Sequence, residues 1–219
     1  MRISNKYIIV SILFFAGTIS MISQISQHGL ILNGGIGDVN SKIDKSGESW
    51  SELGYKGSFS VGYRLRYNRP SLHTFHFDID VNIGTKVLKP VTYFKMGNMT
   101  GGATPDYFTS ISGTLNYSFI KNFSIGLGIE PTYYFSRKIP GDVLLSDSDG
   151  NLFESGFDSS VYFERKNKFD IPVVAKVAYN FKVFEVGIYG KYGLINVLET
   201  EKFKNGKFRD FQLSVFIPF

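Results

Sequence analysis

The sequence predicts an all-β protein: an eight-stranded antiparallel up-and-down transmembrane β-barrel behind an N-terminal signal peptide. Three observations carry this reading. Apolar and polar residues alternate with period 2 over most of the chain. The segments between the alternating runs are long and short by turns. The last run closes on an aromatic residue, Phe219.

Composition sets the frame. The chain of 219 residues carries 21 Phe, 13 Tyr and 23 Gly against one Trp and seven Pro, an excess that suits strands and tight turns. There is no cysteine, which excludes disulfide scaffolds, Cys-based zinc sites and thiol catalysis. Three histidines leave little room for a His-rich metal site.

The first element is the leader. Arg2 and Lys6 precede an apolar run of 11 residues, Tyr7–Gly17, followed by Thr18, Ser20, Ser23 and Ser26. That is the order of a secretory signal peptide, and the run is too short for a helix of ~20 residues to cross a bilayer. The leader is placed at 1–23, with cleavage within 20–27, and the barrel domain at 28–219. Loss of Arg2 and Lys6 leaves 22 basic and 19 acidic side chains, a net charge of +3. Nothing in that balance or its distribution indicates nucleic acid.

Eight runs follow. The opening one is weak: Leu30, Leu32 and Ile36 against Asn33, Gly35 and Gly37. In 55–67, Tyr55, Phe59, Val61, Tyr63, Leu65 and Tyr67 oppose Lys56, Ser58, Ser60, Arg64 and Arg66. In the third, Phe75 to Ile83 oppose His76, Asp78, Asp80 and Asn82. The fourth sets Ile111, Leu115, Tyr117 and Phe119 against serines, Thr114 and Asn116. The fifth covers 123–135, with Glu130 on its polar face. The sixth covers 169–181, with Asp170 and Lys176. The seventh covers 184–194, with Glu185 and Lys191. The eighth is 211–219, with Asp210 and Gln212 on the polar side.

The connections fall at about 40–54, 68–73, 85–106, 120–122, 136–168, 182–183 and 196–209. Long and short alternate, as in a barrel with short periplasmic turns and long outer loops. An even strand number puts both chain ends on the short-turn side. Most runs reach the ~9–11 residues that a tilted strand needs to cross a bilayer.

The apolar faces carry no charge. The opposite faces carry Lys56, Arg64, Arg66, Lys176 and Lys191 with Asp78, Asp80, Glu130, Asp170, Glu185 and Asp210. One Arg or Lys at the bilayer midplane costs ~2–4 kcal/mol, so the charged faces must point inward in a membrane barrel. A soluble lipid-binding barrel has the reverse polarity, and alternation alone does not choose between them. Strand length and aromatics at both strand ends favour the membrane.

The final strand, Phe211, Leu213, Val215, Ile217 and Phe219 by twos, looks like the C-terminal insertion signal of bacterial outer-membrane proteins. With FDIPVVAKVAYNF at 169–181 it carries a resemblance to the small outer-membrane β-barrel family, the porin-like and PorT-like group. The resemblance extends over nearly everything after the leader. It implies a barrel in the cell outer membrane of a Gram-negative envelope, with no reaction and no catalytic positions. The PorT-like side of the resemblance implies service in a secretion assembly.

Eight strands enclose a bore that side chains fill. The expected filling is a cross-strand network of Arg64, Arg66, His76, Asp78, Asp80, Glu130, Lys176 and Lys191. Pairing about Asn68-Arg69-Pro70-Ser71 places Arg64 near His76 or Asp78, and Gly62 or Ser60 near Asp80. A Ser-His-acid site of Ser60, His76 and Asp78 can be drawn but is disfavoured, so no enzyme activity is expected. The outer loops offer Asp147, Asp149, Gly150 and Glu154. This spacing is incomplete for calcium and reads better as a hairpin about Asp149-Gly150, flanked by Leu144, Leu145, Leu152 and Phe153. Trp50 is a contact candidate in the 40–54 loop.

No cofactor, metal or nucleic acid is expected. The expected partners are outer-membrane lipid and lipopolysaccharide, the barrel-insertion machinery and an envelope protein reached through the outer loops. A monomer with periplasmic termini is expected. The alternatives are a narrow porin-like channel and a soluble lipid-binding barrel.

Overall fold

The fold was obtained as a computed structural model. It describes residues 25–43, 49–68, 74–94, 97–101, 104–136, 138–141, 143–146, 152–153, 161–199 and 203–219. The leader, His73, the Asp149-Gly150 turn and Glu154 lie outside the described residues. The described residues form strands and turns only.

Eight strands close into one ring. We number them β1 (Ile25–Ile43), β2 (Ser49–Asn68), β3 (Phe75–Phe94), β4 (Thr104–Ile120), β5 (Phe123–Ile129 continued by Thr132–Tyr134), β6 (Phe169–Asp170 continued by Val173–Asn180), β7 (Glu185–Tyr192) and β8 (Phe203–Pro218). Each is antiparallel to its sequence neighbours, and β8 closes on β1 from Gly29↔Pro218 to Ile43↔Phe203. All eight runs are therefore strands, in up-and-down order.

β5 and β6 break at the same level for a shared reason. Pro131 and Pro172 have no N–H to give a ladder. The remaining groups still pair: Ile111 N–H donates to the Pro131 carbonyl at 3.0 Å, and Glu130 N–H to that of Pro172 at 2.9 Å.

Several strands overrun their expected ends. Most of the 40–54 loop is strand, and β3 continues to Phe94, well into the expected loop 85–106. The long loop 136–168 contains strands Lys138–Gly141, Val143–Ser146, Leu152–Phe153 and Val161–Arg165. Leu152 and Phe153 pair with Ser146 and Leu145, in agreement with the expected hairpin. Above Gly35↔Ser58, β1 pairs with β8 alone and β2 with β3 alone among the described residues, so these two outer arms diverge.

The register of β2 on β3 differs from the expected one by two to four positions. Arg64 faces Asp80, Arg66 faces Asp78 and Asn68 faces His76, while Gly62 faces Asn82 and Ser60 faces Gly84. The connecting turn is wider than four residues, because β2 ends at Asn68 and β3 begins only at Phe75. Hairpin register follows turn length.

Polarity decides the class of barrel. Leu30, Phe59, Ile83, Ile111, Leu127, Ile188 and Leu213 are exposed, whereas Arg64, Asp78, Asp80, Lys176 and Glu185 are buried. The barrel is apolar outside and charged inside, the reverse of a soluble lipid-binding barrel. On β8 the outward apolar positions run from Phe211 to Phe219. Eight steps at ~3.4 Å, tilted by ~40°, give a belt ~20 Å tall, near the ~25 Å of outer-membrane barrels. Arg209 and Asp38, the next outward pair, mark its upper limit at 2.5 Å from each other. The hydrogen bond from Arg209 to this carboxylate raises the guanidinium pKa above its ordinary value.

Aromatics border the belt. Phe119, Phe123, Phe181 and Phe219 are exposed near the short turns, and Tyr107, Phe135 and Phe169 near the outer loops. Tyr179 packs against Phe123 at 4.7 Å and Phe181 at 4.5 Å between ring centroids.

Close packing inside leaves some positions open only to glycine. A Cβ on Gly128 would meet the Gly113 carbonyl and lie 2.8 Å from Thr114 Cα. Gly128→Ala is expected to cost about 1–3 kcal/mol through overpacking, read as a lower urea midpoint.

Candidate functional site

The interior holds two side-chain plugs with a layer of small polar residues between them. The inner plug, toward the short turns, is built where β2, β3, β6 and β7 pass each other. Even-numbered positions of β2 and β3 point inward, which stacks Arg64 and Arg66 opposite Asp80 and Asp78. Arg64 donates from Nε to Asp80 Oδ1 at 2.6 Å and from Nη2 to Asp80 Oδ2 at 2.8 Å. Arg66 makes the same fork on Asp78, at 2.7 and 2.9 Å. Such bidentate pairs are strong and directional.

The far wall completes the charge balance. Glu185 Oε1 accepts from Arg64 at 2.9 Å and lies 2.8 Å from Lys176 Nζ, while Oε2 lies 2.7 Å from Arg66. Lys176 also donates to Asp78 at 3.0 Å. Three cations meet three carboxylates. Tyr189 OH accepts from Arg64 at 2.5 Å, and the Phe216 ring lies 5.0 and 5.2 Å from the two guanidinium carbons. Desolvated charge needs this degree of pairing.

His76 sits at the edge of this plug, with Nε2 3.8 Å from Asp78. Ser60 lies opposite Gly84, eight positions along β3 from His76, or ~27 Å of strand. Its hydroxyl accepts from Asn33 at 3.0 Å. Ser60, His76 and Asp78 are therefore not assembled into a nucleophilic site. His28 is on the outer face, with Nδ1 2.6 Å from Tyr63 OH.

Glu130 and Lys191 belong to the middle layer, not to the inner plug. Lys191 lies 2.6 Å from Glu130 Oε2, and Ser110 donates to Oε1 at 2.8 Å. Asn33, Ser58, Ser60, Asn82 and Gln212 fill the same layer, with Gln212 donating to Ser58 at 3.0 Å.

The outer plug was not anticipated. Leu88, Phe108, Tyr134, Val197, Leu198 and Phe208 form a buried apolar cluster in the barrel mouth. Lys86 stands 4.0 Å above the Phe208 ring and donates to Asp210 at 2.8 Å. Arg165, from an outer strand, stacks 4.0 Å over Tyr134 and binds Asp106. Asp170 Oδ1 accepts from the N–H groups of Ile171 at 2.8 Å and Ile195 at 3.0 Å, which ties the β7–β8 loop down onto the mouth. The even positions Lys86, Leu88, Asp106 and Phe108 continue the inward phase of β3 and β4. That continuity was the available signal.

The described residues contain no cluster of His, Asp and Glu suited to a metal ion. The site can close a bore and fix a shape. The charged groups of the inner plug are engaged with one another, whereas Asp170 in the mouth is held by backbone N–H groups.

The described outer rim has a different character. Lys89, Lys166, Lys168, Lys207 and Arg209 stand there with Asp38, and Glu164 lies opposite Glu199 in the ladder of the adjoining outer strands. Lys168 reaches the Phe135 carbonyl at 3.3 Å and Lys207 lies 6.0 Å over the Tyr192 ring.

Fold and interior together define a closed barrel with the polarity of a transmembrane one. No family model matches the chain, and no curated protein does. Among solved structures the chain is similar to Ail, the attachment invasion locus protein of Yersinia pestis, solved in complex with the heparin analogue sucrose octasulfate. Identity is 11% and the TM-score 0.44, over 88% of this chain and 98% of that one. It is also similar to Neisserial surface protein A, at 14% identity and a TM-score of 0.44, over 88% and 97%.

Proposed function

We propose that this protein is a non-catalytic outer-membrane barrel, with both termini periplasmic, whose outer strands and loops bind surface partners or join a larger envelope assembly. The observation that carries the reading is the inverted polarity: a continuous exposed apolar belt around an interior of paired charge. Outer strands that run beyond the belt support a role at the cell surface. The rim lysines Lys89, Lys166, Lys168 and Lys207 fit the anionic headgroups of lipopolysaccharide.

Two measurements test this. Gel mobility of outer-membrane protein, unboiled against boiled in SDS, is expected to shift on heating. Recovery in the soluble fraction without a shift would sink the membrane reading. Planar-bilayer recording is expected to show no steady conductance, because both ends of the bore are filled by side chains. A stable single-channel current would favour the narrow-channel alternative.

A further inference from the structure

Among the described residues, the outward face carries an apolar depression. A groove of about 460 Å³ crosses β3 to β6, lined chiefly by Phe75, Leu115, Tyr117, Leu127, Ala175 and Val177. That volume falls within the ~300–1,000 Å³ of ligand clefts. Its low wall is Ala175, which lies opposite Leu127 in the ladder and is followed toward the short turns by Val177. Phe75 and Tyr117, with ring centroids 4.9 Å apart, form its end nearest the short turns.

The charge at that end is one-sided. Lys121 lies in the β4–β5 turn and Lys182 in the β6–β7 turn, both exposed. The two turns are held together by the bond from Asn180 N–H to the Asn122 carbonyl at 2.9 Å. Lys182 has a positive φ of 62°, and its N–H donates to Asn180 Oδ1 at 2.9 Å, which settles that turn. Among the described residues at this end, these lysines are the exposed charged side chains. Asp78 and Glu185 are buried inside the barrel and engaged there.

We propose that this groove and the two lysines form a binding site for one anionic phospholipid of the leaflet at the short-turn end. An acyl chain lies along Leu115, Leu127 and Ala175, and the phosphate sits between Lys121 and Lys182. The proposal rests on the membrane-barrel reading. A lysine near a membrane surface contributes enough attraction that each one removed lowers affinity for an anionic lipid about fivefold.

The test is native mass spectrometry of the purified full chain from mixed micelles of equimolar phosphatidylglycerol and phosphatidylcholine. The wild-type protein is expected to retain phosphatidylglycerol selectively. Lys121→Gln with Lys182→Gln should abolish the selectivity, and Ala175→Phe should lower retention with both lysines intact. Equal retention of the two lipids by the wild type overturns the site, and so does unchanged phosphatidylglycerol retention in Ala175→Phe. The heat-dependent gel shift is measured on each sample. Its absence from the wild type overturns the barrel reading itself, whereas a normal shift without selectivity overturns the lipid site alone.

Discussion

Asp78→Ala is expected to lower the unfolding free energy by about 3–5 kcal/mol, the cost of leaving buried charges unpaired. Asp78 is fully buried and engages Arg66 through both oxygens and Lys176 through Oδ2. Its removal leaves an excess of positive charge where no water reaches. The readout is the urea midpoint of tyrosine or tryptophan fluorescence in liposomes, with the gel shift as a second probe. A compensated variant separates pairing from simple side-chain volume. Asp78→Leu with Arg66→Met removes one charge of each sign, and it should recover much of the loss, since apolar replacement of a buried pair is often neutral. Equal destabilisation of the single and compensated variants would mean that packing, not charge, governs this plug.

Leu127→Arg is expected to destabilise the barrel by about 2–4 kcal/mol, although Leu127 is 68% exposed. In a soluble protein such a surface change costs little. Here the side chain faces hydrocarbon near the middle of the belt, and the guanidinium must be dehydrated or must deform the bilayer. Ile36→Arg supplies the control. Ile36 is 65% exposed but sits beside the Asp38–Arg209 pair at the upper margin, where the cost falls to about 0–1 kcal/mol. Equal small effects at both positions would remove the lipid-facing assignment.

The inner plug was largely legible before the structure. Arg64, Arg66, Asp78, Asp80 and Lys176 sit at inward-phase positions of strongly alternating runs, and the structure places them side by side in the bore. Their partners were less legible. Arg64 meets Asp80 and not Asp78 as its facing residue because the β2–β3 turn is longer than the Asn-Arg-Pro-Ser segment suggests. Glu185 joins from a strand more than a hundred residues away, through ring closure alone.

The outer plug was hidden by its own chemistry. Leu88, Phe108 and Phe208 are apolar at inward positions, so β3, β4 and β8 lose their contrast there, and Leu88 and Phe208 fall within the expected loops 85–106 and 196–209. Arg165 comes from an outer strand that has no clear period.

By itself, the sequence determined the number of strands, their antiparallel order and the two faces of each, because side-chain alternation is a local property of an extended backbone. The tertiary structure decided the rest. Ring closure turned the charged faces inward, the turn between Asn68 and Phe75 set which arginine meets which aspartate, and the folding of outer strands over the mouth brought Arg165, Tyr134 and Phe208 together. Each of these depends on contacts between distant segments, and no local periodicity encodes them.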